Sequence, residues 1–76
     1  MAEPDRVRIE IAFDGGQIMG ALVSTESADD LDKALASGQE TTLALDAADG
    51  RYTVAVHRIV YLKRFARESR VGFGSQ

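Results

Sequence analysis

The chain begins with an alternation of apolar and polar residues that is typical of a half-buried strand. Over residues 7–13 every second side chain is apolar, and Arg8 and Glu10 lie between them. Period two places alternate side chains on opposite faces of a sheet. An Asp-Gly-Gly-Gln sequence at residues 14–17 supplies the positive-φ positions of a tight hairpin turn. We therefore predict strands over residues 7–13 and 18–24.

Gly20 lies in the middle of the second predicted strand. A glycine there weakens a strand and often marks a bulge or a sharp bend. Small barrels close through such bends, so Gly20 predicts a bend of this kind.

The period changes to three and four over residues 28–37, which predicts an amphipathic helix of about three turns. Ser27 is the expected N-cap, and Gly38 is placed for a left-handed C-terminal residue. Four acids are expected to crowd the first turn, where the helix dipole favours negative charge. These acids are Glu26, Asp29, Asp30 and Asp32. The apolar stripe consists of Ala28, Leu31, Ala34 and Leu35.

The second half of the chain contains three more extended runs. Residues 41–47 and 51–57 flank an Asp-Gly turn at residues 49–50, which predicts a hairpin. Residues 59–64 are rich in β-branched and aromatic side chains and favour a fifth strand. A basic helix over residues 59–70 is the alternative, because Ile59, Leu62 and Ala66 share a helical face.

The predicted order β-β-α-β-β-β with short connections indicates an α+β fold, mainly antiparallel, with about five strands. Short, bent antiparallel strands tend to close on themselves, so we expect an SH3- or Sm-like, partly open small barrel with one helix. Residues 1–76 form a single small domain in which 1–6 and 71–76 are loose tails. The predicted core consists of Val7, Ile9, Ile11, Phe13, Leu22, Leu31, Leu35, Leu43, Leu45, Val54, Val56 and Ile59.

Composition narrows the possible functions. The 76 residues allow one domain, and the absence of cysteine excludes disulfides, thiolate zinc sites and cysteine nucleophiles. No apolar run approaches the roughly 20 residues of a membrane span. The first residues lack the basic-then-apolar pattern of a signal peptide, so we expect a cytoplasmic protein without membrane contact.

The net charge of −3 conceals an asymmetry between the halves of the chain. Residues 1–50 carry eleven acids against three bases, whereas residues 51–76 carry six bases against one acid. Such a contrast indicates an anionic partner, or attraction between the two halves within one molecule or between two.

The C-terminal basic stretch combines cations with aromatic rings. Cations that meet phosphates, beside rings that stack on bases, are typical of single-strand nucleic-acid binders. Pairing of these cations with the acidic first half, within or between subunits, is the alternative that we favour. The acidic pI of about 4.9 argues against strong non-specific binding to DNA. The candidate contact residues are Arg58, Tyr61, Lys63, Arg64, Phe65, Arg67 and Arg70.

Other chemistry has weak support in the sequence. His57 is the only histidine, and no motif places a base beside the hydroxyls of residues 24–27. The acids near the predicted helix do not have the spacing of a calcium loop. No Gly-Lys-Ser follows Gly15-Gly16, so those glycines predict a turn and not a phosphate loop. We expect no catalytic residues, no metal and no small-molecule cofactor.

Two motifs resemble those of the Sm-like barrel family. Asp14-Gly15 followed by an apolar residue and Gly20 resembles its first motif. The run Thr-Val-Ala-Val-His-Arg-Ile-Val-Tyr-Leu over residues 53–62 resembles the second, a strand, a very short turn and a final strand. The resemblance implies a bent five-stranded barrel that forms RNA-binding rings.

Nearly the whole chain is similar to a family of short, uncharacterised actinobacterial proteins, a domain of unknown function. The Arg-Val-Gly-Phe-Gly sequence at residues 70–74 is the most specific match. The strand at residues 7–13, the acidic-capped helix and the later strand pair match by pattern. This resemblance implies a cytoplasmic bacterial origin and no particular activity.

The sequence as a whole predicts a small non-enzymatic binding or assembly module that uses its basic, aromatic C-terminal segment. Self-association or an acidic protein partner is expected, and single-stranded RNA is a further possible partner. The alternative function is that of an Sm-like RNA-binding protein.

Overall fold

A computed structural model describes residues 5–66, in which five antiparallel strands form one sheet with a single helix. The sheet order is β4-β3-β2-β1-β5, so the first strand pairs with the last. This partly open α+β domain confirms the predicted fold class. The elements are β1 (Arg6–Phe13), β2 (Ile18–Ser24), α1 (Thr25–Ser37), β3 (Thr42–Ala47), β4 (Gly50–Ala55), a 3₁₀ turn (Val56–Arg58) and β5 (Ile59–Arg64).

The first hairpin has an unbroken register from the pair Arg6–Ser24 to the pair Ala12–Ile18. Its turn includes Gly16 at φ 91°, a left-handed conformation that glycine adopts without steric cost. Gly20 pairs in register with Glu10, so the bulge expected at this glycine is not there. The register instead shifts between β1 and β5, at Ala12 and Phe13. Nothing in the sequence of the β1–β2 hairpin indicates this register shift between β1 and β5.

The helix begins at Thr25, and the prediction that Ser27 caps it is wrong. The N-cap is Ser24, whose side-chain oxygen accepts the Ser27 N–H at 3.1 Å. Ser24, Thr25 and Ser27 all have the short hydroxyl side chains that favour a cap, so sequence alone does not separate them. The predicted C-terminus is confirmed, because Gly38 is left-handed at φ 69° and its N–H donates to the Ala34 carbonyl.

Ser27 has a different structural role, which joins the helix to β3. Its buried hydroxyl oxygen accepts the Asp46 N–H at 2.8 Å. β2 and β3 pair in register only at Val23 and Ala47, because the chain leaves β2 to form the helix. The Ser27 hydroxyl therefore satisfies a backbone donor of β3 that the divergence from β2 leaves without a strand partner.

The second half of the chain follows the predicted hairpin with one change. β4 ends at Ala55, two residues before the predicted end, and a 3₁₀ turn follows. The Val56 N–H donates to the Thr41 carbonyl, and the Val56 side chain is buried. The segment after the turn is the strand Ile59–Arg64, so the strand prediction is confirmed over the helical alternative.

The core lies between α1 and one face of the sheet. Six predicted core residues are buried: Ile9, Ile11, Leu31, Leu45, Val54 and Val56. Five are half-buried and pack against them: Val7, Phe13, Leu35, Leu43 and Ile59. The prediction for Leu22 is wrong, because Leu22 is 46% exposed and its neighbour Val23 is fully buried. β2 carries apolar residues on both faces, so its sequence does not show which face is covered.

Within residues 5–66 no helix is long and apolar enough to cross a membrane. The predicted tail at residues 71–76 and most of the tail at residues 1–6 lie outside the described residues. Arg6, which we assigned to the first tail, is the first residue of β1.

Candidate binding face

The face of the sheet that points away from α1 is a mixed aromatic, apolar and charged surface, which we call the open face. Its residues alternate along β1, β2 and β5 with those of the core and lie opposite one another in register. Beyond the end of β5, the Phe65 N–H donates to the Arg8 carbonyl and extends this pairing. The open face comprises Arg8, Glu10, Ile18, Gly20, Leu22, Tyr61, Lys63 and Phe65.

Two cations lie over one aromatic ring on the open face. The Lys63 Nζ is 4.5 Å from the centroid of the Phe65 ring, and the Arg8 guanidinium carbon is 5.9 Å from it. The negative face of an aromatic ring attracts cations at such distances. Neither Arg8 nor Lys63 forms a salt bridge with any carboxylate in residues 5–66. Both charges are therefore held in place and are open to an anionic partner.

Arg64 lies on the other face of the sheet, although it is the next residue after Lys63. It pairs in register with Ile9, and its guanidinium donates to Asp29 at 3.0 Å and to Asp32 at 2.7 Å. These hydrogen bonds raise the pKa of Arg64. The expectation that four acids crowd the first helical turn is wrong, since only Glu26 lies there. Asp29 and Asp32 instead tie α1 to β5.

Arg58 is also paired within the molecule. Its Nε lies 3.1 Å from the Asp14 carboxylate, which follows β1 in the first turn. Every salt bridge in residues 5–66 thus joins a base of the C-terminal part to an acid of the first half. The opposite charges of the two halves therefore pair within one molecule in these three salt bridges. Arg67 and Arg70, the remaining predicted contact residues, lie outside the described residues.

Two acids near the open face are engaged by tyrosines. The Tyr61 hydroxyl donates to Glu10, and the Tyr52 hydroxyl donates to Asp49 at 2.9 Å. Each hydrogen bond to a carboxylate raises the pKa of its phenol, because the protonated form is the donor. The two carboxylates are therefore fixed on the same surface as the cations and contribute negative charge to it.

A groove of about 430 Å³ crosses the open face. Gly20 and Leu22 line it on β2, Arg8 and Phe65 line one side, and Asp49 and Tyr52 line another. Because Gly20 has no side chain, this part of the face is recessed. The groove thus combines apolar residues of β2 with a cation, an aromatic ring and the carboxylates of Glu10 and Asp49.

Exposed apolar side chains lie in the groove and around it. Ile18 is 62% exposed, Leu22 46% and Tyr61 42%. Val60, at the bulge between β1 and β5, is 65% exposed. Apolar groups beside charges are typical of protein-binding surfaces.

The residues considered for catalysis have structural roles or are isolated. Ser24 and Ser27 are buried and are used in the helix cap and the bond to β3. His57 is exposed on the 3₁₀ turn, and Gly15 and Gly16 form the β1–β2 turn. In the described part of the chain, no three His, Cys, Asp or Glu side chains are placed to hold a metal ion.

The residue pattern predicted Tyr61, Lys63 and Phe65, which the structure brings together on one face. It missed Arg8 and Gly20, which belong to the first hairpin and join the C-terminal segment only because β1 pairs with β5. The available signal was the polar face of the first strand, where Arg8 alternates with the core residues. On an extended run Lys63 shares a face with Tyr61 and Phe65, but no local pattern indicates that Arg64 pairs with acids of the helix.

Comparisons of the chain with protein-family models, with curated proteins and with solved structures find no match. The resemblances to Sm-like barrels and to the actinobacterial family therefore stay predictions.

Proposed function

We propose that this protein is a non-enzymatic binding module that holds an acidic segment of a partner protein on its open face. The contact residues are Arg8, Tyr61, Lys63 and Phe65. This proposal narrows the C-terminal basic segment to the part that faces away from the helix and adds a residue of the first strand.

One observation carries the proposal. Lys63 and Arg8 lie over the Phe65 ring without an acidic partner in residues 5–66, whereas Arg58 and Arg64 are already paired with acids. A paired cation gains little from a second anion, since it must first give up its partner. An unpaired cation on an aromatic ring offers both charge and a flat apolar contact to the same ligand.

The surrounding acids favour a protein partner over a nucleic acid. Glu10 and Asp49 stand on the same surface as the cations, and the chain carries a net charge of −3. A continuous row of phosphates needs a continuous positive track, because phosphate contacts supply most of the non-specific affinity. Alternating charges instead suit a peptide that carries isolated carboxylates between apolar side chains.

A short synthetic peptide in which aspartate alternates with phenylalanine is a suitable probe. Isothermal titration at low salt with the wild-type chain and with Lys63→Glu tests the role of the open face. Lys33→Glu is the matched control, because it makes the same charge change on an exposed position of α1. We expect Lys63→Glu to weaken binding about tenfold or more and Lys33→Glu to change it little.

Three results would contradict the proposal. The first is equal weakening by both substitutions, which would indicate only a general effect of net charge. The second is no binding of the peptide together with salt-dependent binding of oligouridylate, which would favour the Sm-like RNA-binding alternative. The third is no binding of either probe together with a dimer in light scattering that Lys63→Glu abolishes, which would make a second copy the partner.

A further inference from the structure

We infer that the groove over Gly20 receives a large apolar side chain adjacent to the acidic group of the bound segment, and that Gly20 determines this preference. The inference rests on the proposed function, because it assigns the second half of the same ligand. The cations of the open face would hold the carboxylate, and the recess beside them would hold the apolar neighbour.

The backbone does not require glycine at position 20. Positive φ occurs at Gly16, Gly38 and Gly50 and not at Gly20. A Cβ built on Gly20 would meet only the Ile9 carbonyl oxygen, at 3.8 Å, which is an ordinary contact. Glycine in a strand interior is unfavourable compared with a β-branched residue. What the missing side chain provides at this position is space in the groove.

The recess lies beside Arg8 and is apolar along β2. Gly20, Ala21 and Leu22 line it on β2, and Arg8 and Phe65 line its margin. Its volume of about 430 Å³ exceeds the roughly 150 Å³ of an engineered apolar cavity that binds benzene. A phenylalanine or leucine side chain therefore fits over Gly20, in contact with the exposed Leu22. A ligand with a carboxylate next to that side chain would reach Arg8 at the same time.

The charges around the groove select the occupant. Arg8 and Lys63 lack an acidic partner in the described part of the chain, so they attract a carboxylate. Asp49 and Tyr52 line the far side, and Glu10, whose carboxylate accepts the Tyr61 hydroxyl, lines the groove on β1 opposite Gly20. A second carboxylate of the ligand would be repelled at both places. The favoured occupant is thus a protein segment with an acidic residue beside a large apolar one.

The test compares two peptides on three chains. Aspartate alternates with phenylalanine in one peptide and with alanine in the other, and the chains are wild type, Gly20→Val and Ala44→Val. Ala44→Val places the same side chain at an exposed position of β3 outside the groove. We expect the wild type and Ala44→Val to prefer the phenylalanine peptide about tenfold or more. Gly20→Val should lose that preference and retain its affinity for the alanine peptide.

A preference that survives in Gly20→Val would overturn the inference and leave the proposed function intact, provided that Lys63→Glu still weakens both peptides. Weak binding of both peptides to the wild type would contradict the function itself. Urea unfolding shows whether Gly20→Val is folded. If it is not, nitrogen-15 spectra of the wild type decide: the Gly20 amide signal should shift with the phenylalanine peptide and much less with the alanine peptide. Equal shifts would overturn the inference.

Discussion

The two faces of the sheet use neighbouring residues for opposite purposes. On the face that α1 covers, Ile9, Ile11 and Val23 are fully buried, and Arg64 is tied to two helical carboxylates. On the open face, Leu22 is exposed, and Lys63 lies over an aromatic ring without an acidic partner in residues 5–66. The covered face satisfies its groups within the molecule, whereas the open face leaves charge and apolar area exposed.

Under the proposed function, this difference separates folding from binding in a chain of 76 residues. A domain of this size buries only about 60% of the surface that its unfolded chain exposes, so its stability margin is small. Because the apolar contacts are concentrated on one face, the other face contributes little to stability. Substitutions on the covered face should therefore change stability, and substitutions on the open face should change binding.

The largest expected effect is that of Leu31→Ala on the covered face. Leu31 is fully buried in the core, so the substitution should lower the free energy of unfolding by about 2–5 kcal/mol. Leu22→Ala deletes the same atoms at a half-exposed position and should cost about 1 kcal/mol or less. Urea unfolding of both variants provides the comparison. Equal losses would show that the open face contributes to the fold as much as the covered face does.

Leu35→Ala, for which the helical pattern alone predicts a loss of about 2–5 kcal/mol, should fall between these two variants. Leu35 is half-buried at the edge of the core, so fewer contacts are lost than at Leu31. The same urea measurement orders the three substitutions. A loss for Leu35→Ala that exceeds the loss for Leu31→Ala would contradict the packing described above.

A smaller loss of stability is expected from a substitution at the junction between the helix and β3. Ser27→Ala removes the acceptor of the Asp46 N–H and should cost about 1–3 kcal/mol, because a backbone donor loses its partner. Ser37→Ala is the control, since the Ser37 hydroxyl bonds at the exposed end of the helix. Thermal and urea unfolding measure both. A Ser27→Ala variant as stable as the control would show that water replaces the hydroxyl.

Substitutions of the two neighbouring cations of β5 should affect different properties. Those at Arg64 should change stability, and those at Lys63 should change binding. Arg64→Gln breaks both ion pairs with α1 and should cost about 0–1 kcal/mol, since the pairs are largely exposed to solvent and salt. Lys63→Gln should leave the urea midpoint unchanged and weaken peptide binding. A binding defect in Arg64→Gln as large as that in Lys63→Gln would contradict the separation of the faces. Replacing both Lys63 and Arg64 by glutamate would combine the loss of stability with the loss of binding in one variant.

The smallest effect is spectroscopic. Tyr52 and Tyr61 are the only tyrosines, and hydrogen bonds to Asp49 and Glu10 raise the pKa of both phenols. Ultraviolet titration of the folded chain should therefore show both phenolates forming above the ordinary value of about pH 10. The phenols ionise first in the unfolded chain, so this contribution to stability is complete below pH 10 and is lost as pH rises through the folded pKa values. Glu10→Gln should return one phenol towards its ordinary value, and an unchanged titration would contradict the Tyr61 contact.

The parts of the fold that the sequence predicted have a clear local signal. β1 alternates strictly and β5 opens with β-branched residues, so both strands were located by their own residues. Gly38 marked the end of the helix, because its left-handed conformation suits glycine. These features depend on short-range chemistry and need no knowledge of the tertiary structure.

The wrong predictions occurred where neighbouring residues have similar chemistry, so that the local sequence does not distinguish them. Ser24 and Ser27 are both good caps, and only the position of β3 shows that Ser27 is needed elsewhere. Leu22 and Val23 are both apolar, and only the side on which α1 packs decides which is buried. The open face was predicted only in part. The pairing of β1 with β5 brings Arg8 to Phe65, and no local pattern encodes that contact.

The most direct test of the separation between the faces is a nitrogen-15 chemical-shift map of the wild-type chain. The chain is titrated with the peptide that alternates aspartate and phenylalanine, and every assigned amide signal is followed. The account predicts the largest shifts at Arg8, Gly20 and Lys63 on the open face, with small shifts at Ala28 and Leu31 in the helix. Shifts centred on the helix, or no shifts at saturating peptide, would contradict it.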